Sequence, residues 1–176
     1  KVAEGKAELA SAAKCSKSSF WSRPDFDGAA YHYEKAAVAF KIGRDHAAAI
    51  DAYAKAAQAH QKLDAGSFMA AKHLESAALV AARDAKQPAA AAAHYVHASD
   101  LHATDGALDL SSAALLKAAK ALDDSDVPHG VALMVRACDI LNGEEEESRL
   151  RLSVDTFKTA VNFLVRHKHY AEAAQL

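Results

Sequence analysis

The feature that most restricts the fold is a three-residue pattern that returns about every 20 residues along the whole chain. A large residue is followed by a small one at i+4 and a filler at i+7. The series reads Tyr33/Ala37/Phe40, Tyr53/Ala57/His60, Leu74/Ala78/Ala81, Tyr95/Ser99/His102, Leu115/Ala119/Leu122, Met134/Cys138/Leu141 and Phe157/Val161/Leu164. The first members stand 20, 21, 21, 20, 19 and 23 residues apart. Offsets of 4 and 7 put each trio on one face of a helix. The repeat length then holds one helix and one short turn, and the small middle residue lets neighbouring helices approach closely.

The punctuation agrees with that reading. Gly43, Gly66, Gln87-Pro88, Asp105-Gly106, Asp126-Val127-Pro128 and Asn142-Gly143 all fall between trios. Gly43 and Gly143 suit the left-handed conformation that closes a helix. Asp45, Asp105 and Asp126 suit N-caps, where a carboxylate accepts free first-turn amides. Pro88 suits a first helical turn, where its missing N–H costs nothing. Glu144 to Glu147 load the following helix start with negative charge, which the helix dipole favours. The predicted helices cover 2–18, 25–42, 45–63, 67–85, 88–104, 107–122, 127–142 and 145–167, with a ninth from 169 onward. Short connections make neighbours antiparallel. The expected fold is all-α: a right-handed α-solenoid of helix hairpins, akin to tetratricopeptide repeats, in a single domain over 1–176.

Composition supports helices and narrows function. Alanine supplies 45 of 176 residues, and alanine is the strongest intrinsic helix former. The formal net charge is −2, without the basic excess usual for a nucleic-acid binder. Cys15 and Cys138 lie far apart, outside any CxxC pair, and read as small apolar residues in a reducing compartment. No apolar stretch is long enough to span a membrane, and no secretory signal opens the chain. The chain begins at Lys1 without Met and stops within a helical pattern at Leu176, as a fragment of a longer protein would.

No catalytic constellation is present. The glycines are isolated, so neither dinucleotide nor P-loop motifs can be drawn, and HExxH and GxSxG are missing. Asp123, Asp124 and Asp126 resemble the start of a calcium loop, but its glycine and closing glutamate are misplaced and Pro128 intrudes. His94 and His97 could share a metal, yet a third and fourth ligand are lacking. His60 and His102 occupy the i+7 slot of the repeat and read as packing residues. His167 and His169 flank a helix break, where a cation suits the preceding C-terminus. The reading is a non-enzyme without cofactor or metal.

The least ordinary local segment is Lys17-Ser-Ser-Phe20-Trp21-Ser-Arg23-Pro24-Asp25-Phe26-Asp27. Phe20 and Trp21 either tuck into the end of the solenoid or form an aromatic tip that dips into a lipid interface. In the second case Lys17 and Arg23 would help at an anionic surface.

The run Phe20–Lys41, "FWSRPDFDGAAYHYEKAAVAFK", resembles the gamma type of the soluble NSF attachment protein family. "AAQAH" at Ala56–His60, "AAKHLESAA" at Ala70–Ala78, Pro88 and "VRHKHYAEAA" at Val165–Ala174 continue the likeness. The resemblance implies an adaptor that lies on the assembled SNARE four-helix bundle and recruits NSF, the hexameric ATPase that takes the bundle apart in vesicle trafficking. It implies a cytoplasmic protein, peripheral on membranes. The family's membrane-touching loop maps onto Phe20 and Trp21, and its NSF-engaging segment lies mainly in a C-terminal part beyond this chain. SNARE contact uses basic residues of the concave face. The best-known positions of the alpha type fall near Ala113 and Val154, which are not basic here. Lys117 and Lys158 follow one turn later, and Lys41 and Arg44 end the second helix; these four are the expected SNARE contacts. Lys35, Lys55, Lys72 and Lys120 fit solvated helix faces, and Arg149, Arg151 and Arg166 could join a binding face. The competing reading is a non-catalytic scaffold subunit of a large assembly, since fold alone does not fix function.

Overall fold

The computed structural model describes residues 1–17, 23–141 and 147–176, the stretch 147–153 in its backbone only. The described residues form α1 (Val2–Cys15), α2 (Phe26–Ile42), α3 (His46–His60), α4 (Ser67–Arg83), α5 (Pro88–Thr104), α6 (Leu108–Ala121), α7 (Val127–Leu141), α8 (Glu147–Arg166) and α9 (Tyr170–Ala173). No strand occurs among them. The chain is therefore all-helical, built from successive packed helix hairpins as the repeat predicts. Most helices end a residue or more inside the predicted bounds, where turns take over.

Several caps follow the sequence directly. The Asp45 carboxylate accepts from the Ala48 amide at 3.2 Å, and Asp126 accepts from the His129 amide at 3.2 Å. Asp25, not singled out above, does the same for the Gly28 amide at 2.8 Å. Asp105 does not cap: α6 starts after Ala107, with no side-chain cap, because Gly106 at φ 73° turns the chain first. Gly143 lies outside the described residues.

Gly43 is present for a different reason than predicted. Its φ is −76°, in the right-handed region, and the left-handed residue is Arg44 at φ 60°. A Cβ on Gly43 would stand 2.8 Å from Val2 Cγ2. The glycine is needed for space, because the start of α1 presses on the end of α2. Gly5 does the same further along, where an added Cβ would stand 2.9 Å from Phe40 Cε1.

The packing forms two compact units, Lys1–Ala91 and Ala92–Leu176. In the first, α1 packs on α2, α2 on α3 and α3 on α4. Its core joins Ala36, Ala37, Phe40, Ala49, Ala52, Tyr53, Ala77 and Val80, with Val2 and Leu9 of α1 against them. In the second, α6 packs on α7, α8 on both, and α9 on α8. Leu115, Met134, Cys138 and Leu164 are fully buried there. Three buried hydroxyls stitch the second unit: Ser99 and Ser111 share a hydrogen bond of 2.8 Å, and Ser112 donates to the Ala137 carbonyl at 2.8 Å. Each of α1 to α8 carries at least one alanine with no exposed surface, so small residues set the close helix spacing.

Six of the seven trios supply the buried face as predicted, with Tyr33 and His60 only partly covered. The seventh is one residue out of register. In α8 the inward residues are Thr156, Ala160, Phe163 and Leu164, whereas Phe157 and Val161 line a separate open pocket beside Leu176. Both aromatics of α8 fit an i, i+7 pattern, and only packing chooses between them.

Candidate functional site

The expected SNARE contacts are two pairs, one in each unit. Lys41 sits exposed in the last turn of α2, where a cation complements the helix C-terminus. Arg44 is exposed in the turn that follows, its amide donating to the Lys41 carbonyl at 3.1 Å. One tight turn therefore presents both cations, beside an Ile42 that is 61% exposed. Arg44 holds a left-handed backbone, which costs an L-residue other than glycine, asparagine or aspartate about 1–2 kcal/mol.

Lys117 and Lys158 are also exposed, but they look different ways. Lys117 on α6 turns toward α5, with its ammonium 5.9 Å from the centre of the Tyr95 ring. Lys158 on α8 lies on the side of α9, where it lines a pocket of about 390 Å³ with Val154, Phe157, Val161 and Leu176.

Elsewhere on α6 to α8 the structure gathers residues that helical spacing had not joined. A cleft of about 520 Å³ is lined by Lys120 and Asp123 at the end of α6, Met134 of α7, and Thr159, Asn162, Phe163 and Arg166 of α8. The α6–α7 turn brings Asp123 to the C-terminal end of α8. There Arg166 Nη2 donates to both Asp123 oxygens, at 2.6 and 2.5 Å, and His167 Nε2 meets Oδ1 at 2.6 Å. The Arg166 guanidinium also lies 5.5 Å from the centre of the Phe163 ring, and Phe163 and His167 have ring centres 4.7 Å apart. Arg166 is thus oriented from two sides. Met134 and Phe163 are buried and close the floor, leaving polar walls accessible. Lys120 had been read as a solvated surface residue. Phe163, Arg166 and His167 fall at i, i+3 and i+4, so they share one face at the C-terminal end of α8.

The histidines divide by environment. His102 is buried, as its slot predicts. His60 stacks on His73 at 5.1 Å and 11°, and the sequence reading had overlooked His73. Burial lowers the pKa of His94 below the usual value, with His97 adding to it. Among the described residues no three His, Cys, Asp or Glu side chains are grouped to hold a metal ion.

Phe20 and Trp21 lie outside the described residues; their flanks Lys17 and Arg23 are exposed. Among the described residues no helix is long and apolar enough to cross a membrane.

This all-helical chain of packed helix pairs, with exposed cations at the ends of its helices, matches one family over nearly its whole length. The chain belongs to the soluble NSF attachment protein (SNAP) family, whose sequence profile matches residues 2–176. Among individual proteins it is similar to the gamma-soluble NSF attachment protein of Dictyostelium discoideum, with 29% identity over 177 residues, covering 100% of this chain and 53% of that protein. It is likewise similar to the gamma-soluble NSF attachment protein of Arabidopsis thaliana, with 34% identity over 154 residues, covering 88% of this chain and 51% of that protein. The chain spans about half the length of these curated relatives.

Proposed function

We propose that this chain is the SNARE-contacting part of a non-enzymatic gamma-type adaptor in vesicle trafficking. It lies against the assembled SNARE four-helix bundle, and the whole protein recruits the NSF ATPase mainly through a C-terminal part that is not in this chain. The observation that carries the reading is the family match over residues 2–176 together with gamma-type relatives at 29% and 34% identity. The exposed cations Lys41, Arg44, Lys117 and Lys158 agree with it. Cations facing an acidic bundle would steer encounter and make association salt-sensitive. The loop holding Phe20 and Trp21 is proposed to touch the membrane, keeping the cytoplasmic protein peripheral on it.

The test is binding to a preassembled SNARE bundle, free and on liposomes, across a salt series. The expected result is salt-sensitive binding that strengthens on liposomes, with that gain lost in Phe20→Ser/Trp21→Ser. A folded helical chain that does not bind the bundle at low salt would sink the reading and favour a scaffold subunit.

A further inference from the structure

We propose that the cleft between the C-terminal ends of α6 and α8 seats one carboxylate side chain of an acidic partner helix, and that Asp123 is an internal stand-in which moderates that contact. The inference rests on the adaptor reading, and it names residues outside the four contacts expected from the family.

The argument is one of donors, acceptors and charge. Lys120 is exposed and has no hydrogen-bond or ion-pair partner among the described residues, and neither Thr159 nor Asn162 has a side-chain hydrogen bond there. Arg166 binds Asp123 through Nη2 alone, so Nη1 and Nε remain unused. The cleft therefore offers an ammonium, three guanidinium N–H groups, a hydroxyl and an amide. Its one acceptor carboxylate, Asp123, is already engaged by Arg166 and His167. A carboxylate is acceptor-only, with about four lone-pair sites on two oxygens, which matches that set of donors. Arginine is suited to it, because the N–H groups of Nε and Nη1 are not taken by Asp123 and either can donate to a second carboxylate. Lys120 and Arg166 against Asp123 leave one net positive charge, which a single carboxylate neutralises. The cleft is open, and its apolar floor is sealed by Met134 and Phe163. It admits a side-chain tip rather than a whole helix.

Asp123 fixes Arg166 in a ready orientation while cancelling half the local positive charge. Removing its charge should therefore tighten partner binding, which a merely structural aspartate would not do. His167 remains against the same side chain, and α8 keeps its buried Ala160, Phe163 and Leu164.

The experiment measures the dissociation constant for a preassembled SNARE four-helix bundle at low and high salt, using the full chain and its variants. Lys120→Ala removes a side chain with no protein partner, so any weakening is not a folding effect; about a fivefold loss at low salt is expected. Asp123→Asn is expected to bind a few-fold tighter at low salt. Asp124→Asn changes net charge equally at an exposed neighbour and is expected to change nothing. In the Lys120→Ala/Arg166→Gln background the gain from Asp123→Asn should vanish, as a thermodynamic cycle requires of residues acting at one site. Equal tightening by Asp123→Asn and Asp124→Asn would overturn the proposal in favour of a general charge effect. Binding that depends on Lys41 and Arg44 but ignores Lys120, Arg166 and Asp123 overturns the cleft and leaves the adaptor reading intact. No binding by the unaltered chain overturns both.

Discussion

His73 gives the sharpest physical test of the first unit. It is 4% exposed on α4, and its Nε2 has no hydrogen-bond partner. Its ring stacks against His60 at 5.1 Å and lies 6.4 Å from Tyr53. Burial lowers its pKa below 6.5; Glu34 of α2 opposes this, while His60 of α3 and Lys72 of α4 add to it. The sign follows. Below about pH 6.5 the unfolded chain takes up a proton that the folded chain resists, so folding stability falls as pH drops through that value. The loss levels off below the lowered native pKa. One proton limits the slope to about 1.4 kcal/mol per pH unit. His73→Phe keeps a ring of similar shape and removes the orphaned nitrogen, whose burial costs about 1–3 kcal/mol. The variant should be more stable at neutral pH and should lose most of the acid slope in α3 and α4. Amide hydrogen exchange of α3 and α4 peptides, followed from pH 8 to 5, reads this locally and is blind to His94 in the second unit. An unchanged acid dependence of those peptides in His73→Phe refutes the reasoning.

Three further outcomes can be checked together. Cys138 is fully buried with its thiol pKa pushed up to about 11, while Cys15 is partly exposed, so a thiol reagent should label Cys15 alone until the chain unfolds. Arg44→Gly should raise the urea midpoint by the equivalent of about 1 kcal/mol, since glycine takes the left-handed turn without strain; it should weaken SNARE binding at the same time. Ser112→Ala removes the hydroxyl that donates to the Ala137 carbonyl between α6 and α7 and should cost about 1 kcal/mol in urea unfolding.

The helix order was legible in the sequence because the i, i+4, i+7 trios are local, and a helix needs only local information to declare its face. What the trios could not reveal came from contacts between helices. Phe157 and Phe163 both satisfy the period of α8, and only the presence of α6 and α7 on one side selects Phe163. Gly43 looked like a helix terminator, whereas its role is set by Val2, about 40 residues earlier. The candidate site shows the same division. Lys41 and Arg44 were visible as the ends of one helix, because a turn is a local object. The Lys120–Arg166 cleft was not visible, because those side chains line one cleft only through the packing of α6 and α8. Asp123 had drawn attention as part of a false calcium loop; its partners are cationic side chains from another helix.

The alanine-lined interfaces make this chain vulnerable in an unusual direction. In a core of leucines and phenylalanines, harm comes mostly from truncation. Here alanines with no exposed surface recur on every helix from α1 to α8, and trimming a methyl group removes little. Growth is the hazard: one or two extra methylenes at Ala37, Ala57, Ala78 or Ala119 would wedge apart helices already at their closest approach, at about 1–3 kcal/mol each. Tolerance to substitution should therefore be lopsided, with Ala→Gly and Ala→Ser milder at these seams than Ala→Val or Ala→Leu, the reverse of what hydrophobicity alone would rank.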